Sequence, residues 1–307
     1  MLGYVLRRLA GAIPTMFIIV TLAFFMIRIA PGGPFDLERP LDPLIMENIN
    51  RAYNLDKPLW QQYLLYLGNL AQGDLGPSFT RRDFSVVDLF RTGLPVSIQL
   101  GGLALSLALV VGTVLGALAA LRQNTWVDYL VVGTATFGIT IPTFVIAPVL
   151  SLLFGVMMGW LPAGGWGGGQ WEYMILPVVT MALPQIAIVA RLTRGATIEA
   201  LRSNHVRTAR AYGLPAHVVV GRHALRAAML PVVSYLGPAA AALMTGSVVV
   251  ETIFGIPGIG RYFVQGALGR DYTLVMGTVV VIALFVIVFN LIVDVLYAWL
   301  DPRVRYD

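Results

Sequence analysis

Ser203-Asn204-His205-Val206-Arg207-Thr208-Ala209-Arg210-Ala211-Tyr212-Gly213-Leu214-Pro215 is a short basic stretch with its own start and stop signals. Ser203 or Asn204 is a capping residue type, so a helix is expected to run through Arg207, Ala211 and Tyr212. Gly213 is placed to end it, because glycine readily takes the left-handed backbone of a residue just past a helix, and Pro215 cannot continue one. Apolar runs long enough to cross a bilayer stand on either side: Tyr173 to about Leu192, and Leu230 to about Val250. A basic segment between two spans is retained on the inner side of a membrane, and that fixes the orientation of everything else.

Working outward, four further runs meet the requirement of roughly 20 mostly apolar residues. They are Leu9 to Ile29, Ser97 to Leu121, Tyr129 to Trp160 and Leu274 to Leu300. The expectation is an all-α integral membrane protein with six transmembrane helices. Pro142 and Pro148 fall inside the third run, which is long and is expected to kink or tilt. The first run exceeds a secretory signal's apolar core and reads as a retained span. Composition agrees: 57% of the 307 residues are hydrophobic and 12% charged, about half the charged fraction of a soluble domain. Mean hydropathy is +0.77.

Arg7, Arg8, Arg122, the cluster Arg191, Arg194, Arg202, Arg207, Arg210, Arg222 and Arg226, and Arg303 with Arg305 all fall on one side of a six-span chain. Positive-inside places that side, and both termini, in the cytoplasm. The net charge of +5 is therefore topological, and no nucleic-acid partner is expected. Arg261 and Arg270 on the outer side run against the rule. Trp160, Trp166 and Trp171 flank an outer loop as interface anchors. Residues 30–94 hold no span. Two short amphipathic helices are expected there, Asp42 to Tyr53 with Pro43 at the first helical position, and Pro58 to Leu70 ended by Gly73-Asp74-Leu75-Gly76-Pro77. They read as a small extracytoplasmic cap. The chain divides into residues 1–95, a first span plus this region, and 96–307, a five-helix domain containing the basic loop 191–229.

The lone lysine is Lys57, so no standard P-loop is present and ATP chemistry belongs to another polypeptide. His205, His217 and His223 have no acidic neighbours to complete a metal site, and cysteine is absent. No catalytic, cofactor or metal residue is expected. Asp294 lies within the last span, about two turns from its inner end, and is expected to pair with Arg191 or Arg194. Glu251 near the outer end of the fifth span, with Gly255, Pro257 and Gly258, suggests non-helical backbone in an outer gate. Gly112-x-x-x-Gly116 is a candidate close helix contact. For the basic loop, the residues alone leave two readings open: a segment that merely sets topology, or a surface helix that docks into a partner and transmits force.

Arg207 through Pro215, followed by Arg222-His223-Ala224-Leu225-Arg226-Ala227-Ala228-Met229-Leu230-Pro231, resembles the ATPase-contacting EAA loop of ABC importer permeases in its peptide-transporter form. Arg207 stands where the general consensus has glutamate, and Arg226 where it has the nearer proline; both are similar to the peptide branch. Tyr53-Asn54-Leu55-Asp56-Lys57-Pro58-Leu59, Gly73-Asp74-Leu75-Gly76-Pro77-Ser78-Phe79, Gly246 through Gly260 and Asp294-Val295-Leu296-Tyr297 with Asp301 through Tyr306 resemble the same branch. The resemblance implies a type I importer permease fold and a coupling helix comprising Arg207, Thr208, Ala209, Arg210, Ala211, Gly213 and Leu214. It also implies a homologous second permease, two cytoplasmic ATPases that use ATP and magnesium, an extracytoplasmic peptide-binding protein, a peptide substrate and surrounding lipid of the bacterial inner membrane. Dipeptide and nickel carriers share this architecture. A solitary ion-coupled carrier would be expected to show several intramembrane acids, and a receptor or scaffold leaves the loop without a role.

Overall fold

The structure, a computed structural model, describes residues 2–29, 43–81 and 83–300. In order the helices are α1 (Leu2–Ile29), α2 (Pro43–Ala52), α3 (Leu59–Ala71), α4 (Val86–Leu121), α5 (Trp126–Thr140), α6 (Thr143–Leu150), α7 (Trp171–Arg202), α8 (Asn204–Ala211), α9 (Ala216–Val218), α10 (Arg226–Phe254), α11 (Ile259–Leu268) and α12 (Tyr272–Leu300). Five stretches are long and apolar enough to cross a membrane, with α5 and the segment Thr143–Met157 together supplying a sixth, bent by 103°.

That bend is sharper than a kink. Ile141 and Pro142 are both extended, with ψ of 120° and 145°. Proline disfavours the helical region for the residue before it and offers no N–H to continue the ladder, so the span breaks into two helices. Pro177 and Pro184, by contrast, sit inside an unbroken α7; membrane helices tolerate proline where neighbours satisfy the freed carbonyls.

The centre of the bundle is the pairing of α4 with α7. A methyl at Gly112 would sit 2.8 Å from Val189, and one at Gly116 would overlap the Ala190 carbonyl. The Gly-x-x-x-Gly pair is thus a true backbone contact, extended by Ala104, Ala108 and Ala120 along the same buried face. Leu243, Val250 and Phe254 of α10 close this core with Leu100 and Met181. On the flank, Val20 and Phe24 of α1 pack on Met276 and Val280 of α12, under Tyr63, Tyr66 and Leu67 of α3.

Several boundaries differ from expectation. Helix α4 begins at Val86, well before Ser97, and runs unbroken through the division drawn at residues 95 and 96. Ser85 starts it with a reciprocal cap: its hydroxyl accepts from the Asp88 N–H at 3.1 Å and its own N–H donates to Asp88 Oδ2 at 3.3 Å. The basic loop 191–229 is largely helix, the ends of α7 and α10 continuing past their apolar stretches, with a seven-residue π-helical segment at Val219–Leu225. The expected cap helices appear as α2 and α3, although Asp42 lies outside the described residues. Trp160 and Trp171 are exposed, whereas Trp166 packs partly buried on the core and is no simple surface anchor.

Candidate functional site: the basic surface helix and the Glu251 turn

Helix α8 sits on an apolar base. Val206 and Ala209 are buried with Ala200, Val219 and Ala224, so α8 is held between the end of α7 and the π-helical segment. Arg207, Thr208, Arg210 and Ala211 face out. Tyr212 is 82% exposed and Leu214 39% exposed. Ala209, one of the residues assigned to coupling, turns inward instead and serves the seat. Ser203 has the extended backbone of an N-cap, but its hydroxyl donates back to the Ala200 carbonyl at 2.5 Å rather than capping α8.

The stop is built as the sequence suggests. Gly213 has φ of +74°. Its N–H donates to the Arg210 carbonyl at 2.9 Å, and the Leu214 N–H to the Ala209 carbonyl at 3.3 Å. This pair of bonds is a Schellman motif, which requires the left-handed residue. A methyl on Gly213 would meet nothing within 4 Å, so conformation and not space demands glycine there.

The same device ends α10. Gly255 has φ of +69°, and the Ile256 N–H returns to the Glu251 carbonyl at 2.8 Å. Glu251 itself is helical and fully buried. Its carboxylate accepts from Ser97 Oγ at 2.6 Å and from the Gly260 N–H at 2.8 Å; it therefore sits at the N-terminus of α11, where free N–H groups favour an anion. A methyl at Gly258 would overlap that carboxylate, and Pro257 is half-buried beside it. The expectation of non-helical backbone is met at Gly255 through Gly258, not at Glu251. Glu251 ties α4, α10 and α11 together and does not face open space.

Arg194 is engaged differently from the sequence expectation. Its guanidinium forks onto Asp128, Nε to Oδ1 at 2.5 Å and the terminal nitrogen to Oδ2 at 2.7 Å. Asp128 is 2% exposed and also accepts the Asn124 N–H at 2.9 Å. Arg194 is thereby tied to α5. Arg191 is exposed. Asp294 falls on α12, with its side chain outside the described residues, as are the residues from Asp301 to Tyr306. Asp128 was missed because the third span was started at Tyr129, which placed the acid just outside the membrane.

A further tie joins the outer segment to the last span. Asp271 is fully buried ahead of α12. One carboxylate oxygen caps the helix, accepting the Leu274 N–H at 3.0 Å; the other takes Ser78 Oγ at 2.5 Å and the Thr80 N–H at 3.1 Å. Burial pushes its carboxyl up, but these hydrogen bonds outweigh burial and hold it below the usual carboxylate range.

A helical membrane bundle that presents a seated, sharply stopped surface helix fits an ABC importer permease. The chain matches the family model of the binding-protein-dependent transport system inner membrane component over residues 112–306, and that family's N-terminal membrane component over residues 1–99. It belongs to this family of permeases: a multi-pass inner-membrane transport subunit and not an enzyme. It is 53% identical over 306 residues to the oligopeptide transport system permease protein OppB of Escherichia coli, with the whole of both chains covered. The OppB of Haemophilus influenzae is 50% identical over the same span. The dipeptide transport system permease protein DppB of Bacillus subtilis is 40% identical over 305 residues, covering 99% of this chain and 98% of the relative. Among solved structures, an amino acid ABC transporter crystallised with histidines shares the fold, with a TM-score of 0.51 and 19% identity over 71% of this chain and 95% of that one.

Proposed function

We propose that this chain forms half of the translocation pore of an ATP-driven oligopeptide importer, with α8 as the coupling helix that the ATPase grips. The observation that carries the reading is the construction of α8. One face is buried on the permease, and the other offers Arg207, Arg210, Tyr212 and Leu214 outward. A rigid Schellman stop keeps it from fraying. A helix fixed on one side and exposed on the other passes a push from its partner into α7 and, through the π-helical segment, into α10. Closure of the two ATPases on ATP then biases the pore between outward-open and inward-open states.

The oligopeptide assignment is supported by the full-length likeness to OppB proteins, closer than that to the DppB of Bacillus subtilis. In this reading the second permease, two ATPases and an extracytoplasmic peptide-binding protein complete the complex. ATP and magnesium are used on the ATPases alone, and both termini of this chain are cytoplasmic. Gly255, Pro257 and Gly258 mark an outer gate, with Glu251 as its anchor.

Gly213→Val tests the coupling role. Valine at φ of +74° is strained by about 1–2 kcal/mol, so the end of α8 unwinds. The expected result is ATP hydrolysis that no longer drives uptake, or loss of the ATPase on purification. Gly213→Asn, which tolerates the left-handed region, is expected to retain most uptake. Full uptake by the valine variant would refute the role.

A further inference from the structure

Arg28 ends α1 beside the outer helices. Its guanidinium lies 3.7 Å over the Phe24 ring, with Tyr272 at 5.7 Å, and its Nε donates to Gln62 Oε1 at 3.0 Å. Gln62 is buried and itself donates to the Lys57 carbonyl at 2.8 Å, so that contact is locked in place. Among the described residues no carboxylate lies within 4 Å of Arg28. Beside it the Tyr66 hydroxyl is buried with no hydrogen-bond partner. Burial of Tyr66, only partly opposed by Arg28, pushes that hydroxyl up to about 12, which keeps it a donor at any physiological pH. The two groups share a cavity of about 120 Å³ with Asn69 and Asp74 on its wall. Asp74 is exposed and accepts the Gly76 N–H at 2.8 Å through one of its two carboxylate oxygens.

A half-buried guanidinium with no carboxylate within 4 Å among the described residues, next to an orphaned hydroxyl donor, favours an incoming anion. Both groups are donors lining one cavity, and a carboxylate complements such a pair. The cavity is far smaller than the roughly 300–1,000 Å³ of a small-molecule site. It admits one acidic side chain and not a peptide.

We propose that this outer pocket receives a single acidic side chain of the extracytoplasmic binding protein as that protein seats on the permease. The proposal rests on the importer reading above. Arg28 supplies charge, Tyr66 supplies the second hydrogen bond, and Gln62 holds the guanidinium in register. The pocket lies where α1, α3 and the turn before α4 meet, so an occupant bridges the outer cap to the bundle.

The test uses the complete importer in lipid nanodiscs with its own binding protein, measuring the Kd for the binding protein at low and moderate salt. Arg28→Gln is expected to raise the Kd about tenfold or more and to flatten its salt dependence. Arg28→Lys, which keeps the charge, is expected to recover part of this loss. Tyr66→Phe is the decisive variant, because removing a hydroxyl that has no hydrogen-bond partner in the unbound permease leaves folding unharmed. A several-fold rise in Kd with an unchanged or higher thermal midpoint supports the pocket. An unchanged Kd for Tyr66→Phe, or an Arg28→Gln variant altered only in thermal midpoint, overturns it. Failure of the unaltered complex to bind any extracytoplasmic protein would overturn the importer reading itself and this proposal with it.

Discussion

At Asp271 a single carboxylate caps one helix and holds a distant segment, so its protonation reaches both. Its value is depressed in the folded chain, which makes it a source of stability at pH values above about 4, the ordinary aspartate range. That contribution falls away as pH drops through the lowered folded value. Thermal melts of the detergent-solubilised protein between pH 3 and 7 are expected to show a loss of midpoint at the acid end. In Asp271→Asn the midpoint is lower at neutral pH and the acid-end slope shallower. Gly258 presents the opposite kind of constraint, one of space. Gly258→Ala drives a methyl into the Glu251 carboxylate and is expected to cost about 1–3 kcal/mol, read as a lowered thermal midpoint. Residues of this kind are only partly legible in a sequence. Gly213 announces itself through a local pattern of cap, basic turn and proline. Glu251 and Asp271 find partners at Ser97 and Ser78, more than 150 residues away, and no local spacing signals such a meeting.

Elements show the same division. All six spans stand out by length and hydropathy, and α2 and α3 by their amphipathic pattern. The break between α5 and α6 is written as Ile141-Pro142, yet the chain also carries prolines that break nothing, so packing decides which one does. The ion pair of Asp128 with Arg194 joins the first turn of the broken span to the inner end of α7. Asp128→Asn leaves the guanidinium without its counter-charge. The expected loss is about 3 kcal/mol, trimmed because Arg194 keeps 27% of its side chain in contact with solvent. Denaturation of Asp128→Asn and of Arg194→Gln, compared with the double variant, measures the pair directly: strong non-additivity is expected. The α4–α7 contact is expected to be less forgiving. Gly116→Leu cannot fit beside the Ala190 carbonyl, and accumulation of this variant in the membrane is expected to drop severalfold.

For the molecule as a whole, the arrangement of six crossings makes a prediction about sidedness. Reporter fusions at Gly167, in the turn before α7, and at His205, in α8, are expected to report opposite sides of the membrane. Both on one side would break the topology. The length of α4 bears on the other side of the same question. Its 36 residues extend for about 54 Å at helical rise, against a hydrocarbon layer of about 30 Å. Set upright, a rod of that length would exceed the layer, and the α2–α3 region, the Asp271 tie and the Arg28 pocket are gathered around its N-terminal end. On the importer proposal, a soluble binding protein would meet a stiff pedestal at that end and hand over its cargo there without pressing against the bilayer.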